Sequence, residues 1–503
     1  MSTHVNPPVN TTKRLKLSLK TRRLNHGIGE NDVNHVKNEE FNKKLIDHSN
    51  SSAPGFAGLA NLGNTCFMNT VINVLRYSPG FAAYLHNLCQ LIAIVKHSTN
   101  DFIPLCWELV SQLHKVFSSL SDVEKRTLKK EKDYVGDKMI IYPQELLSIL
   151  RQLNPLFDGN YQHDAHELLC CLLNYVREAE HGVMAELKGP KNKSRCKRTN
   201  KSRNQPPITG FFNAPKKKTD VPDSVTTTFE SRMAFLTRCN ECENSSEMKE
   251  VFLNVTVSPH SHEKDSSDEE DSSDEKTDWT WFREAMLKTE TLNGDNKYWC
   301  EACLQYNEAT RSHKFLTLPP ILIIQLKRFT SSFNSIHGFS KVADFIPTPP
   351  KLECLLDQCQ MPCSNCTHSY RLYAVISHSG LSLTSGHYTS LVKRSKWPEN
   401  NHYYLRQQLS EAQKDLEEQA KSAIKTRQKV KEENSPCYLK SYAKDARHED
   451  CCDLVVEEAN WLQYDDEKVN CVTEDELKKL LAAPKNTSWT PYLLFYTNNL
   501  HNS

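Results

Sequence analysis

The sequence predicts an α+β fold in which helices come first along the chain and strands follow. Apolar residues recurring at helical spacing predict helices at 65–75, about 81–97, 102–120, 143–152 and 164–178. Alternating or continuous apolar runs predict strands at 229–257, 321–326, 370–378, 387–393 and 492–496. The two kinds of element therefore occupy separate stretches of the chain.

The composition allows a sizeable hydrophobic core, although polar tracts lower the average hydrophobic content. Hydrophobic residues make up 38% of the 503 positions, a length that suits two or three domains. The formal net charge is +1, so the overall charge indicates no partner. No run of about 18 apolar residues predicts a membrane helix, and residues 1–10 lack the apolar stretch of a secretory signal.

The cysteine content limits the roles that the cysteines can have. Without a secretory signal we expect a reducing compartment, where the 18 cysteines would not form a disulfide framework. They are expected instead to be metal ligands, a catalytic thiol or small buried apolar residues.

Four polar segments lie before or between the predicted elements. Residues 1–54 are predicted to be a disordered basic tail. Its basic cluster, at 13–14 and 20–23, is either a nuclear address or part of a solvated tail. Residues 188–220 are a predicted disordered basic insert, and 260–277 an acidic loop whose serines are candidates for phosphorylation. Residues 396–458 are a predicted charged helical insert.

Cys66 is the candidate nucleophile because it directly precedes the apolar face of the first strong helix. The free N–H groups and the dipole of a helix N-terminus favour an anion and therefore a thiolate. Gly63 permits a tight approach of the backbone before it. The alternative is a small buried cysteine at a helix start.

A histidine and a pair of carboxylates could serve this thiol. His387 ends a Ser/Gly-rich turn and begins an apolar strand, from which its imidazole could accept the thiol proton. Asp465 and Asp466 follow an aromatic strand, and one of them could orient the imidazole. Each residue by itself also suits an ordinary surface or turn position.

Several segments in register resemble the ubiquitin-specific proteases. Residues 58–69 (GLANLGNTCFMN) are similar to the cysteine box of that family, and 162–167 (QHDAHE) to its Gln-Asp box. Residues 370–388 are similar to its histidine box, and 325–329 (QLKRF) and 464–466 (YDD) also match, in the family's order. The resemblance spans about 55–496.

The resemblance implies a papain-like cysteine protease fold with a thumb, a palm and zinc-bearing fingers. It implies a catalytic domain at 55–499, with the thumb at about 55–180 and the palm and fingers at about 226–496. It also implies hydrolysis after the C-terminal glycine of ubiquitin, usually at a lysine isopeptide bond.

Site roles follow from the resemblance position by position. Cys66 corresponds to the nucleophile, His387 to the general base, and Asp465 to the orienting carboxylate, with Asp466 as the alternate. Asn61 corresponds to the amide that stabilises the oxyanion. Asp164 corresponds to a ubiquitin-contacting residue. Phe67 and His166 depart from the usual Tyr and Gln without removing a group that the mechanism needs.

Two Cys-x-x-Cys pairs predict a structural Zn²⁺ site. Four thiolates suit tetrahedral zinc and leave no position for a catalytic water. The ligands are expected to be Cys239, Cys242, Cys300 and Cys303, which the resemblance places at the fingertips. A second cluster has no family match, and whether it binds another zinc is left open: Cys354, Cys359, Cys363 and Cys366.

Phrases around the cysteine pairs, at 237–243 and 295–301, resemble the DNA-repair member of the family. That resemblance implies a nuclear enzyme acting on the monoubiquitinated sliding clamp PCNA and on the Fanconi anaemia D2 protein. It further implies activation by a WD40-repeat subunit docked on the fingers.

The basic insert contains a segment that resembles the clamp-binding peptide box. One helical turn would present Ile208, Phe211 and Phe212 to an apolar pocket, while Gln205 makes polar contacts. Lysines at 216–218 would steer it to an acidic surface. A chance pattern, or binding of DNA phosphates by the insert, are the alternatives.

Two other functional classes compete with an active protease. A catalytically dead ubiquitin-binding scaffold usually lacks the cysteine or the histidine, and both are present here. A clamp- or DNA-binding adaptor would have no need of the intact set Cys66, His387 and Asp465.

Overall fold

The computed structural model describes residues 55–98, 103–128, 140–187, 224–258, 278–331, 339–356, 368–382, 385–394, 461–482 and 489–498. The chain divides into two compact units, 1–46 and 47–503, and every described residue belongs to the second. None of the helices in these ranges is long and apolar enough to cross a membrane. Outside the described residues lie the predicted tail and inserts, 1–54, 188–220, 260–277 and 396–458. The predicted domain limits stay a prediction.

A helical lobe occupies the first part of the described chain. Its helices are α1 (Cys66–Tyr77), α2 (Phe81–Ser98), α3 (Leu105–Leu128), α4 (Gln144–Leu153) and α5 (Ala165–Leu187). Three shorter helices follow later: α6 (Ser224–Phe229), α7 (Asp278–Met286) and α8 (Glu474–Leu481). All five predicted helices are present, but α3 and α5 continue beyond their predicted ends at 120 and 178.

Buried carboxylates explain why the predicted ends were too early. Glu124 on α3 accepts two hydrogen bonds from the guanidinium of Arg76 on α1. Glu180 on α5 accepts one from the hydroxyl of Tyr84 at 2.9 Å. Both carboxylates are 6% exposed. A charged residue at a core position breaks the apolar period, although its partner on another helix satisfies it.

Eighteen strands occur in the described residues. They are β1 (Gly58–Leu59), β2 (Ile140–Ile141), β3 (Ser231–Cys239), β4 (Ser245–Phe252), β5 (Val255–Val257), β6 (Glu290–Leu292), β7 (Tyr298–Cys300), β8 (Gln305–Asn307), β9 (Ala309–Thr317), β10 (Ile321–Leu326), β11 (Phe329–Ser331), β12 (Phe339–Lys341), β13 (Lys351–Leu352), β14 (Tyr370–Ser382), β15 (Ser385–Lys393), β16 (Trp461–Asp465), β17 (Lys468–Val472) and β18 (Trp489–Thr497). The single alternating stretch predicted at 229–257 is therefore three strands preceded by a short helix.

A central sheet of eight strands forms in the described part of the chain, in the order β17-β16-β15-β14-β18-β10-β5, with β13 paired to β14. The predicted pair at 370–378 and 387–393 is the antiparallel pair β14–β15. Its register sets Ser379 opposite His387. The apolar runs 321–326 and 492–496 are the neighbouring buried strands β10 and β18.

An outer sheet extends from the central one, in the order β4-β3-β9-β6, and the hairpin β7–β8 adjoins its far end. Phe282 and Met286 of α7 pack in one buried cluster with Met233 of β3 and Phe315 of β9. The same cluster includes Leu494 of β18, so the base of the outer sheet shares the core of the central sheet.

Helix α1 lies between the helical lobe and the central sheet. Ten of its twelve residues are buried, and it contacts α5 on one side and β15 on the other. The ring of Phe67 packs against Phe157 at 6.1 Å and His163 at 5.3 Å between centroids. The first residue of α1 is therefore held against the sheet strand that carries His387.

Candidate active site and metal centre

Cys66 is the first residue of α1 and is 2% exposed. The loop before it is closed by the side chain of Asn61, whose Oδ1 accepts from the N–H groups of Gly63 and Thr65 at 3.1 Å each. Gly63 and Asn64 have left-handed φ angles of 98° and 56°, which turn the chain sharply into the helix. This turn leads into α1, so Cys66 lies at the helix start, where backbone N–H groups have no partner within the helix.

His387 reaches this thiol from β15. Its Nε2 lies 2.5 Å from Oδ1 of Asp465, and both side chains are 38% exposed. The hydrogen bond with Asp465, followed by the hydrogen bond with Cys66, raises the pKa of His387 to about 10. The same bond to His387 lowers the pKa of Asp465. Because Asp465 occupies Nε2, the nitrogen left for the sulfur is Nδ1.

Gly386 allows the strand that carries His387 to pack closely against β14. A Cβ on Gly386 would lie 2.3 Å from the carbonyl oxygen of Ser379 and 2.4 Å from Nε2 of His378. His378 is fully buried directly behind, with its ring 4.7 Å from that of Tyr388 between centroids. Only a residue without a side chain lets β15 pass this close to β14.

Asp466 is directed away from this pair, toward Asn61. Its carboxylate accepts from Nδ2 of Asn61 and from Nδ2 of Asn69, each at 2.8 Å. Its backbone carbonyl accepts from the N–H of Leu59 at 2.9 Å, and its φ is 48°. The two adjacent carboxylates thus have separate partners, Asp465 the imidazole and Asp466 the amide of Asn61.

Asn69 was missed by reasoning from the sequence. It lies on α1 one turn after Cys66, is 1% exposed, and also donates to the carbonyl oxygens of Leu59 and Ala60. The available signal was an amide at an otherwise apolar position of a buried helix, since buried polar groups require partners.

The segment ahead of α5 brings a further amide to the thiol. Nε2 of Gln162 lies 3.8 Å from Sγ of Cys66. Asp164 accepts at Oδ1 from the N–H of His166 at 2.8 Å, and both of its carboxylate oxygens accept from the hydroxyl of Tyr492 at 2.8 Å. The Gln-Asp box therefore lies beside the candidate nucleophile.

The four predicted metal ligands meet at the end of the outer sheet. Cys239, Cys242, Cys300 and Cys303 have their sulfur atoms within 4.8 Å of one another. The two loops share one geometry: Glu243 donates its N–H to Cys239 O at 3.0 Å, and Leu304 donates to Cys300 O at 2.8 Å. Both donors have left-handed φ angles, 57° and 55°.

The electrostatics of the cluster fit a dication. Hydrogen bonds from the N–H of Cys242 and from the amide of Asn307 lower the pKa of Cys239 to about 6. Hydrogen bonding with the Cys242 thiol, followed by burial, raises the pKa of Cys303 to about 12. Four thiolates this close repel one another unless a cation lies between them. The donor set is therefore that of a closed, four-sulfur metal site.

The second cysteine cluster is only partly visible. Cys354 is buried, and its Sγ lies 3.4 Å from Nδ1 of His368. Cys359, Cys363 and Cys366 lie outside the described residues, as does the clamp-binding-like segment with Gln205, Ile208, Phe211 and Phe212.

A thiol at a helix N-terminus, an imidazole on the facing strand and a carboxylate behind it define the papain-like class of thiol hydrolases. The chain belongs to the ubiquitin carboxyl-terminal hydrolase family, whose model matches residues 57–496. The sequence predicted a form of this fold with zinc-bearing fingers. The mixed helix and sheet content and the four-cysteine cluster agree with that prediction.

Two curated relatives are named ubiquitin carboxyl-terminal hydrolase 1. The protein of Mus musculus is 24% identical over 524 residues, and that of Rattus norvegicus is 24% identical over 525 residues. Each match covers 67% of this chain and 66% of the relative, so the match spans a little under two thirds of their length. A solved structure, the SAGA Ubp8/Sgf11/Sus1/Sgf73 DUB module bound to ubiquitin aldehyde, matches with a TM-score of 0.49 and 17% identity over 93% of this chain and 76% of that chain.

Proposed function

We infer that the protein is a deubiquitinating cysteine protease that hydrolyses the bond after the C-terminal glycine of ubiquitin. The observation that carries this conclusion is the hydrogen-bonded series from Cys66 through His387 to Asp465, inside a domain of the ubiquitin carboxyl-terminal hydrolase family. The side chains come from α1, β15 and β16, and the packing of α1 on β15 brings them together.

In this mechanism the thiolate of Cys66 attacks the carbonyl carbon of the terminal glycine, and the imidazolium of His387 holds the displaced proton. The carbonyl electron pair moves to oxygen, where Nδ2 of Asn61 stabilises the charge. Collapse expels the substrate amine, which takes the proton from His387. Water, deprotonated by His387, then attacks the thioester carbonyl carbon, and the C–S bond breaks. Ubiquitin leaves with a free carboxylate, and the thiolate of Cys66 and the imidazolium of His387 are restored. Asp465 keeps the imidazole oriented throughout.

The test is turnover of a fluorogenic ubiquitin C-terminal amide by the purified full chain. We expect release of the fluorophore, and covalent labelling of Cys66 by ubiquitin vinyl sulfone. Cys66→Ser should lose both, because serine lacks a readily formed anion at this helix start. A wild-type chain that binds ubiquitin but neither turns over nor labels would support the inactive-scaffold alternative instead.

The arrangement of Asp466 yields a prediction about the oxyanion donor. Asn61→Ala is expected to lower kcat by about 10²–10³-fold. Asp466→Ala is expected to lower kcat by a similar but somewhat smaller factor, because the carboxylate of Asp466 accepts from the amide of Asn61 and holds it in place. The double variant should be no slower than Asn61→Ala alone, since both changes remove one unit. Steady-state kinetics of the three variants measures this. A double variant slower by the full product would show that Asp466 acts independently, for instance on His387.

The metal in the four-cysteine site is proposed to be Zn²⁺. The support is the all-sulfur donor set, the matched pair of loops and the absence of an open ligand position in such a set. Cys239, Cys242, Cys300 and Cys303 would hold it. Its role would be to join β3 to the hairpin β7–β8, not to activate substrate.

As substrates we propose monoubiquitinated DNA-repair proteins in the nucleus, among them PCNA and the Fanconi anaemia D2 protein. The support is the sequence alone: the basic cluster at 13–14 and 20–23, the resemblance at 237–243 and 295–301, and the clamp-binding-like box. Phe211→Ala/Phe212→Ala should weaken binding of the full chain to PCNA by calorimetry while fluorogenic turnover is unchanged. Equal affinity of both forms for PCNA would exclude this box as the contact.

A WD40-repeat activator on the fingers is proposed on the same resemblance. The hairpin β7–β8 exposes Trp299, Leu304 and Tyr306, which are 41%, 71% and 65% exposed. Exposed aromatic residues such as Trp299 and Tyr306 are suited to a protein partner. DNA binding by the insert at 188–220 is a separate proposal, and steep salt dependence of binding to a plain duplex is its test.

A further inference from the structure

Gln162 contacts the sulfur of Cys66 from a segment that carries no residue of the series described above. Its Nε2 is 3.8 Å from Sγ, a normal distance for an N–H donor and a sulfur acceptor, and the contact is partly buried. The NH₂ group of a glutamine side chain does not titrate near neutral pH and is a donor only, so it can only donate to the sulfur. The sulfur is thus approached by two side-chain donors, the imidazole of His387 and the amide of Gln162.

The position of Gln162 is fixed by its neighbours on the C-terminal side. The ring of His163 packs edge-on against Phe67, the residue after Cys66, at 5.3 Å and against Phe157 at 5.4 Å between centroids. Asp164 is held by the hydroxyl of Tyr492 and caps α5 through the N–H of His166. The segment ahead of α5 is therefore joined to the start of α1, and the amide is held beside the thiol.

We propose that Gln162 is a further catalytic residue, whose amide N–H donates to the sulfur of Cys66 and favours its thiolate form. This role rests on the proposed function, since it concerns the nucleophile of that reaction. Hydrogen bonds to an ionised acceptor are about twice as strong as those between neutral groups. The hydrogen bond from Gln162 therefore strengthens when the proton moves from the sulfur to His387, and it favours the thiolate–imidazolium pair over the neutral thiol and imidazole. After the sulfur is acylated it no longer carries a charge, so its hydrogen bond with the Gln162 side chain weakens.

The test measures the thiolate directly, without ubiquitin. Iodoacetamide alkylation of Cys66 is followed from pH 4 to 9 by mass spectrometry of the Cys66 peptide, which separates it from the other cysteines. The variants are Gln162→Met, which keeps the length without the donor, and Gln162→Glu, which adds a negative charge. The control is Gln152→Met on α4, whose Nε2 contacts only Ser148 on its own helix among the described residues.

Gln162→Met is expected to lower the alkylation rate three- to tenfold on the acidic side of the profile, a shift of about 0.5–1 pH unit. Gln162→Glu should lower it further, and Gln152→Met should match the wild type. The same Gln162 variants should lower kcat for the fluorogenic substrate more than they change KM. Unchanged thermal unfolding of the variants would exclude a folding defect.

An alkylation profile of Gln162→Met that superimposes on the wild-type profile would overturn the proposal, whatever happens to turnover. A loss of kcat with an unchanged profile would assign the amide to the oxyanion instead of to the sulfur, and would equally overturn it. Failure of the proposed function is a different result: wild-type protein that does not cleave the ubiquitin substrate can still show the Gln162-dependent shift in alkylation.

Discussion

Replacing His387 with alanine is expected to lower kcat for ubiquitin C-terminal hydrolysis by about 10⁴-fold or more. The imidazole is the group that hydrogen-bonds both the sulfur of Cys66 and the carboxylate of Asp465. Without it no group in this series can hold the thiol proton or return it to the leaving amine. Steady-state turnover of the fluorogenic ubiquitin substrate measures the loss, with KM expected to change far less.

His86→Gln is the matched control for the His387 variant. His86 lies on α2, where its Nδ1 pairs with Nε2 of His114 at 2.9 Å in the helical lobe. It should retain wild-type kcat. A His387→Ala protein that keeps more than about a tenth of the wild-type kcat, a loss far below the general-base contribution of 10²–10⁴, would mean that another base serves Cys66.

Loss of the metal site is expected to have the largest effect on stability. Cys300→Ser should reduce bound zinc by one ion per chain, because hard hydroxyl oxygen replaces a thiolate in a closed site. Structural zinc sites in small peptides contribute about 10–16 kcal/mol of binding free energy that is coupled to folding. The hairpin β7–β8 has few apolar residues to hold it otherwise: Trp299 and Tyr306, whose rings pack together, are both exposed.

Metal analysis of purified protein measures the zinc content, and amide hydrogen exchange locates the unfolding. We expect rapid exchange in β7, β8 and the adjoining ends of β3 and β4, with the central sheet still protected. Cys471→Ser on β17 is the control, since Cys471 is outside the four-sulfur cluster and should leave the metal in place. If Cys300→Ser retained the same zinc content as wild type, the four-cysteine assignment would be wrong.

The separation between chemistry and stability follows from the architecture. The candidate active site lies where α1 meets the edge of β14, β15 and β16, and the metal site lies at the far end of another sheet. The two sheets share a buried cluster at the base of the outer one. Metal loss is therefore expected to act on the stability of the outer sheet and its hairpin, and the His387 variant on the chemical step.

Some features were decided by short stretches of sequence. The apolar period after Thr65 places Cys66 at a helix start, and the spacing within 239–242 and 300–303 defines two metal-binding turns. The run 321–326 suffices for a buried strand. In each case the relevant interactions lie within a turn or a strand of the residue itself, so the local pattern contains the information.

Other features needed the tertiary structure. Adjacent carboxylates cannot be told apart by pattern, yet Asp465 contacts His387 and Asp466 contacts Asn61, which is 405 residues away along the chain. The amides of Asn69 and Gln162 likewise find their partners only through packing. Polar contacts between distant segments depend on sheet register and helix docking, which no local periodicity encodes. The sequence alone thus identified the nucleophile, the imidazole and the metal ligands as candidates. The fold decided which partner each carboxylate and each amide contacts around them.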